Sequence, residues 1–202
     1  MILGPMMKLY MSANSPYARK VRVLLAEMGK AQDVEEISVN PRDATTGFWE
    51  VNAVAKIPTL ELDDGRAIGE SDLISHYLLT TTRSADIFRC KGIERLSALA
   101  LANGVLDTGM AARVEKTRPG AEDTDAFVAK NLNALSRAFD ALEVCATRDS
   151  DTPDLADIAL VCAVDWISLR HPEVTVTENR PSLAKRVAQL SQRPSFKSTV
   201  PG

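Results

Sequence analysis

The stretch that most constrains this chain is Met7–Gly29, where a short apolar segment runs into a polar turn and then into a helix. Lys8-Leu9-Tyr10-Met11 reads as a strand, Ser12-Ala13-Asn14-Ser15 as the turn, and Ser15-Pro16 as the helix start. A serine oxygen can accept one of the orphan backbone N–H groups of a first helical turn, and proline at the first helical position forfeits no hydrogen bond. Apolar residues at Tyr17, Val21, Leu24, Leu25 and Met28 recur at helical spacing, with Arg19, Lys20, Arg22 and Glu27 on the other face. Gly29 stops the helix. Its positive end opens onto Ser12 and Ser15, and such an end attracts an anion.

The rest of the first half alternates. Val34, Ile37 and Val39 predict a second strand over Val34–Val39. Asn40–Lys56 is looser, with a short helix near Phe48–Asn52 whose Phe48 and Trp49 anchor it to the core. Ile57–Leu62, the turn Asp63-Asp64-Gly65-Arg66 and Ala67-Ile68 read as a hairpin, because Asp-Gly supplies the positive φ angles of a tight connection. Ser71 then caps a helix through Ile74, Tyr77 and Leu78. Strand, helix, strand, helix, strand, strand, helix makes a small mixed sheet with helices packed on it.

Composition changes at Thr80–Ala85, a polar run that reads as a linker, and no strand signal follows it. Ile87–Val114 predicts a helix that buries Ile93, Leu96, Leu99, Ala100, Leu106 and Met110, with a kink or close approach at Gly104 or Gly109. After a loop over Arg118–Asp125, the spacing of Val128, Leu132, Leu135, Phe139 and Leu142 marks an amphipathic helix. Asp154-Leu155-Ala156-Asp157 has the form of a capping box, and it opens Leu155–Leu169, apolar almost all round and therefore central to its domain. Pro172 ends that helix, and Leu183, Val187 and Leu190 mark a last one before a tail rich in proline and serine. The expected organisation is α+β with two domains: residues 7–80, a linker at 81–86, and an all-helical 87–202.

Composition narrows the function classes. A chain of 202 residues with 45% hydrophobic content has enough for a real core, and a formal net charge of −3 argues against a nucleic-acid partner. No apolar run approaches the ~20 residues that span a bilayer, and Met1–Met6 is too short for a secretory signal, so no membrane partner and a cytoplasmic location are expected. Cys90, Cys145 and Cys162 are odd in number and lie in apolar helical patterns, as buried small hydrophobes do. Without a Cys-x-x-Cys pair or a Cys/His cluster, neither a dithiol site nor a metal is expected. His76 and His171 have no visible partner and read as ordinary polar residues.

Four motifs in order carry a family resemblance: Lys8-Leu9-Tyr10 through Ser15-Pro16-Tyr17-Ala18-Arg19-Lys20-Val21-Arg22, Asn52 through Lys56-Ile57-Pro58-Thr59-Leu60, Glu70-Ser71, and Leu155-Ala156-Asp157-Ile158-Ala159. Together they resemble the cytosolic glutathione transferases, most of all the bacterial, tau-like or omega-like branches with a Ser-Pro-Tyr or Ser-Pro-Phe signature. The resemblance covers nearly the whole chain. It implies a thioredoxin-like first domain, an all-helical second domain, a homodimer, glutathione as co-substrate, and a detoxifying transferase that joins the glutathione thiolate to small hydrophobic electrophiles. A glutathione-dependent peroxidase, dehalogenase or isomerase, or a non-catalytic binding or regulatory module of the same fold, are the alternatives.

The chemistry can be stated residue by residue. A thiol is a weak nucleophile until ionised, and each unit of lowered pKa is about 1.4 kcal/mol of preference for the thiolate. Ser15 can donate its O–H to the sulfur while its oxygen accepts from the helix backbone, so capping and catalysis are compatible. Ser12 offers a second hydroxyl and ranks below Ser15. By resemblance, Ile57-Pro58 holds a cis peptide and the backbone of Ile57 pairs with the cysteinyl part of glutathione. Lys56 meets the glycyl carboxylate, Glu70 the γ-glutamyl amino group, and Ser71 its carboxylate. Met11, Asn14 and Tyr17 from the first domain and Met110, Arg113 and Trp166 from the second are the candidates for an electrophile site. Asp157 is assigned to structure, as a helix cap. Relatives carry Asn-Pro-x-Gly where this chain has Asn52-Ala53-Val54-Ala55, so a differently shaped loop is expected beside the peptide site. Serine rather than cysteine at position 15 argues against the thiol-reductase chemistry of omega-like members, which passes through a mixed disulfide.

Overall fold

The structure, a computed structural model, describes residues 6–120, 125–146, 148 and 150–201. Most of the Met1–Met6 extension and the middle of the loop expected over Arg118–Asp125 lie outside the described residues. The chain divides into two compact units, Met1–Arg89 with Ser195–Gly202, and Cys90–Pro194.

The first unit is built on a four-stranded sheet of β1 (Met7–Met11), β2 (Val34–Ser38), β3 (Thr59–Glu61) and β4 (Ala67–Gly69) in the order β2-β1-β3-β4. β1 and β2 are parallel, and β3 runs antiparallel to both β1 and β4, the thioredoxin-like arrangement. The β3–β4 hairpin closes with Leu62 N–H donating to the Arg66 carbonyl at 2.8 Å around Gly65 at φ 82°, a backbone that favours glycine. The helices are α1 (Pro16–Glu27), α2 (Phe48–Val51) and α3 (Ser71–Thr81). Phe48 is 2% exposed and stacks on Tyr10 at 5.3 Å, but Trp49 is 46% exposed and does not anchor α2.

Helix α1 departs from the expected two-faced pattern. Val21, Val23, Leu24 and Leu25 are buried, and so are Arg19 and Lys20, because α1 is covered twice. Helix α3 packs on it, and the end of the chain returns to it. Arg19 donates to the Phe196 carbonyl and to Thr199 Oγ1 at 3.4 and 3.3 Å, and Ser195 Oγ donates to Glu27. The tail expected within 87–202 thus belongs from Ser195 onward to the sheet-bearing unit. The run expected as a linker at 81–86 is mostly a 3₁₀ turn, Arg83–Phe88.

The second unit contains α4 (Ile93–Lys116), α5 (Asp125–Cys145), α6 (Leu155–Arg170) and α7 (Pro181–Ser191); α8 (Pro194–Lys197) comes last. Helix α4 starts later than expected, and of the face expected to be buried only Leu106 is fully so, with Leu99 and Met110 half-buried. Ile93 and Leu96 are 70% and 52% exposed and Ala100 is exposed, whereas Ala98, Ala102, Val105, Leu106, Gly109 and Ala112 form the buried stripe. Its small residues let α6 approach: a Cβ at Gly109 would stand 2.3 Å from Ile167 Cδ1, while one at Gly104 would meet nothing within 4 Å. Helix α5 buries Val128, Leu135, Phe139 and Leu142 as its spacing predicts. Helix α6 is buried on nearly every side and opens on a complete capping box, Asp154 accepting from Asp157 N–H at 3.0 Å and Asp157 from Asp154 N–H at 3.2 Å.

Asp157 does more than cap. Its carboxylate accepts from Arg95, Arg148 and Arg186, while Asp154 holds Arg95 by two bonds of 2.7 Å. Burial pushes the Asp157 carboxyl up, but the bonds from Arg186 and the charges of Arg95 and Arg186 outweigh it and hold it below the ordinary range. His171 is no ordinary polar residue either. It is fully buried, Nε2 donates to the Gly109 carbonyl at 2.9 Å, and burial holds its pKa down.

Candidate active site

The register gathers the predicted residues at one end of the sheet. Tyr10 pairs with Thr59 and Thr59 with Gly69, so those three form one row across β1, β3 and β4. Because β3 runs against its neighbours, the turn after β1 (Ser12–Ser15), the segment before β3 (Lys56-Ile57-Pro58) and the pair after β4 (Glu70-Ser71) lie beyond the same edge of that row. With strands ~4.8 Å apart, the three segments spread over about 10 Å.

Each segment has a local cause. Ser15 N-caps α1 with φ −80° and ψ 118°, its Oγ accepts from Ala18 N–H at 3.2 Å, and its own N–H donates to the Ser12 carbonyl at 3.0 Å, which closes the turn. Ser15 is half-buried, and no acidic residue stands in the first turn of α1 to offset the positive helix end. The Ile57-Pro58 peptide is cis, as the resemblance implied. Asn52 braces this loop: Nδ2 donates to the Lys56 carbonyl at 3.1 Å and to Thr59 Oγ1 at 2.8 Å, and Oδ1 accepts from Val54 N–H. Ala55 sits at φ 46°, a left-handed backbone that costs a non-glycine residue about 1–2 kcal/mol. The departure from Asn-Pro-x-Gly therefore leaves an alanine in a glycine-like conformation. Lys56 is exposed and Ile57 half-buried.

At the third segment, Glu70 is the N-cap of α3 with φ 65° and ψ 122°, its side chain exposed and making no capping bond. Ser71 does not cap α3. It is the first helical residue, 5% exposed, and its Oγ accepts from Lys20 Nζ at 3.1 Å. Lys20 also bonds Asp72 at 2.6 Å. Sequence reasoning puts Lys20 on a polar face and misses this contact, because its partners lie a whole βαββ segment away.

The electrophile candidates separate. Met11 is buried beside Leu9 on the core face of β1, and Trp166, 2% exposed, packs beside Gly109 and His171, so neither side chain is available to a small molecule. Asn14 is exposed and Tyr17 half-buried in the first unit; Met110 and Arg113 are half-buried on α4 in the second. Tyr10 is occupied elsewhere: its hydroxyl donates to Glu61 at 2.7 Å, and burial together with that carboxylate pushes its pKa up to about 12. Of the cysteines, Cys162 is buried, Cys145 half-buried at the end of α5, and Cys90 outside any helix; burial and the charge of Asp154 push the Cys90 thiol up to about 11. The Cys90 thiol is thus not a poised thiolate of the kind a nucleophilic cysteine requires. Among the described residues no cluster of His, Cys, Asp and Glu could hold a metal, and no helix is long and apolar enough to cross a membrane.

Comparison with known proteins agrees with this geometry. Residues 9–84 match the glutathione S-transferase N-terminal domain, and residues 125–185 the C-terminal domain. The chain is 32% identical over 201 residues to the uncharacterized GST-like protein YibF of Escherichia coli K12, covering 96% of this chain and 98% of that one. Among solved structures it is similar to a glutathione transferase family member from Pseudomonas fluorescens Pf-5 with bound glutathione, at TM-score 0.88 and 28% identity over 97% of this chain and 99% of that one. It is also similar to a glutathione S-transferase from Methylobacillus flagellatus KT with glutathione bound, at TM-score 0.86 and 33% identity over 97% of this chain and all of the other. The sheet order, the helical second unit, the two domain matches and the near full-length identity converge: this chain belongs to the glutathione S-transferase family.

Proposed function

We propose that this protein is a glutathione transferase that binds glutathione along the β1, β3 and β4 end of its sheet and adds the thiolate to small apolar electrophiles. The observation that carries this reading is the capped start of α1. Ser15 Oγ accepts from Ala18 N–H, which leaves the hydroxyl proton to be donated to a sulfur anion beside a positive helix end. In this reading the cysteinyl thiol lies at Ser15, the cysteinyl backbone at Ile57, the γ-glutamyl end at Glu70 and Ser71, and the glycyl carboxylate toward Lys56, three segments that share one edge of the sheet. In the reaction Ser15 holds the thiolate, the sulfur attacks the electrophilic carbon, and the leaving group departs with its electron pair. We further propose a cytoplasmic homodimer, as is usual in this family, with Asn14 and Tyr17 as the residues of the sheet-bearing unit to test for electrophile contacts.

Two single substitutions test the catalytic assignment. Ser15→Ala should lower kcat/KM for conjugation of a chloronitroaromatic substrate by about 10²–10³, the cost of removing one preorganised donor, and Ser12→Ala should change it little. Unchanged conjugation in Ser15→Ala with loss in Ser12→Ala would reverse the assignment. A non-catalytic module of this fold would bind glutathione without conjugating it in either variant or in the parent protein.

A further inference from the structure

Lys20 is a charged group buried directly behind the γ-glutamyl end of the proposed glutathione site. It stands on α1, five residues beyond Ser15, and its side chain is 4% exposed. Removing an ammonium from water costs several kcal/mol and is tolerated only where acceptors replace the water. Here they include Ser71 Oγ at 3.1 Å and Asp72 Oδ1 at 2.6 Å, on the first two residues of α3. Asp72 is itself 45% exposed, so water weakens its half of the ion pair.

We infer that Lys20 is a positioning residue for glutathione, acting through the Ser71 hydroxyl on the α-carboxylate of the γ-glutamyl group. A hydroxyl has one proton and two lone pairs. The Lys20 bond engages a lone pair, polarises the O–H and leaves its proton to be donated to the carboxylate at the N-terminus of α3. Lys20 does not touch the ligand. It also ties α1, which carries Ser15, to α3, which carries Ser71, so one side chain links the thiol and γ-glutamyl ends of the same ligand. This rests on the functional reading above, and it predicts a specificity that a mere tether between two helices does not.

The test is a binding cycle on the whole protein. Glutathione and 4-aminobutyryl-cysteinylglycine, which lacks only that α-carboxylate, are titrated calorimetrically into the parent protein, Lys20→Met and Asp72→Asn. Lys20→Met should weaken glutathione about tenfold, equivalent to about 1.4 kcal/mol, and leave the analogue within twofold. Asp72→Asn, which leaves the Lys20 charge less compensated, should tighten glutathione and not the analogue; it keeps the proposal testable if Lys20→Met does not fold. Equal weakening of both ligands by Lys20→Met, or unchanged or weaker glutathione binding in Asp72→Asn, overturns the positioning role while the transferase reading stands. A parent protein that binds neither thiol overturns the transferase reading, and the role of Lys20 with it.

Discussion

Replacing Asp157 by asparagine keeps the side chain's shape and removes its charge, so the result reports the ionic core at the start of α6. The consequences for its three guanidinium partners differ. Arg95 keeps both bonds to Asp154, and Arg148 keeps the Thr152 carbonyl at 3.1 Å with Asp154 at 3.4 Å. Arg186 is 2% exposed and would retain only neutral acceptors, the Ser150 carbonyl at 2.7 Å and Gln189 Oε1 at 3.2 Å. The perturbation therefore orphans one buried cation, which costs about 3–5 kcal/mol. Near 2 cal/mol/K of unfolding entropy per residue, this lowers Tm by about 7–12 °C if all 202 residues unfold together, and by roughly twice that if Cys90–Pro194 melts alone. Calorimetry, or circular dichroism at the helical band, measures it. The pH dependence has a definite sign. The folded-state pKa of Asp157 is depressed, so its contribution is present above the ordinary aspartate range and disappears as pH falls through the folded value. The parent protein should lose stability on acidification more steeply than Asp157→Asn. A Tm change under about 2 °C, or parallel acid profiles, would refute the claim that the Asp157 charge holds this end of α6.

Two further substitutions probe the packing. Gly109→Ala gains about 1 kcal/mol of helix propensity, but its Cβ would stand 2.3 Å from Ile167 Cδ1 and 3.1 Å from Trp166 Cζ3, and overpacking at such a contact costs about 1–3 kcal/mol, so the variant should melt below the parent. A higher Tm would mean that α4 and α6 are not in close contact there. Phe196→Ala removes a ring 1% exposed from the segment that covers Arg19, and should destabilise the sheet-bearing unit by about 3–5 kcal/mol and speed amide exchange along α1. Faster exchange confined to α4–α7 would place the end of the chain in the wrong unit.

The features legible in the sequence are those whose cause is local. The Ser15-Pro16 start, the Asp63–Arg66 turn and the Asp154–Asp157 capping box each depend on residues within four positions, and each is found where the chain predicts it. The buried face of α4 is hidden from the hydropathy pattern because its seam consists largely of alanine and glycine, while Ile93 and Leu96, which dominate that pattern, point outward. Arg19 and Lys20 look like a polar face because the groups that cover them lie far along the chain, at Phe196–Thr199 and Ser71–Asp72. Ser71 looks like a cap for the same reason: serine at a helix start has a local use, and only the fold reveals that a buried lysine has claimed its oxygen.

The most direct test of the central claim is an ultraviolet titration of glutathione bound to the parent protein and to Ser15→Ala, following thiolate absorbance against pH. A free thiol half-ionises near pH 8.5, and a hydroxyl donor beside a helix N-terminus should bring the bound thiol to about 7.5 or below. The account predicts that shift in the parent protein and its reversal toward the free value in Ser15→Ala. Bound glutathione that ionises like the free thiol, or an equal shift in both proteins, would contradict thiolate stabilisation by Ser15.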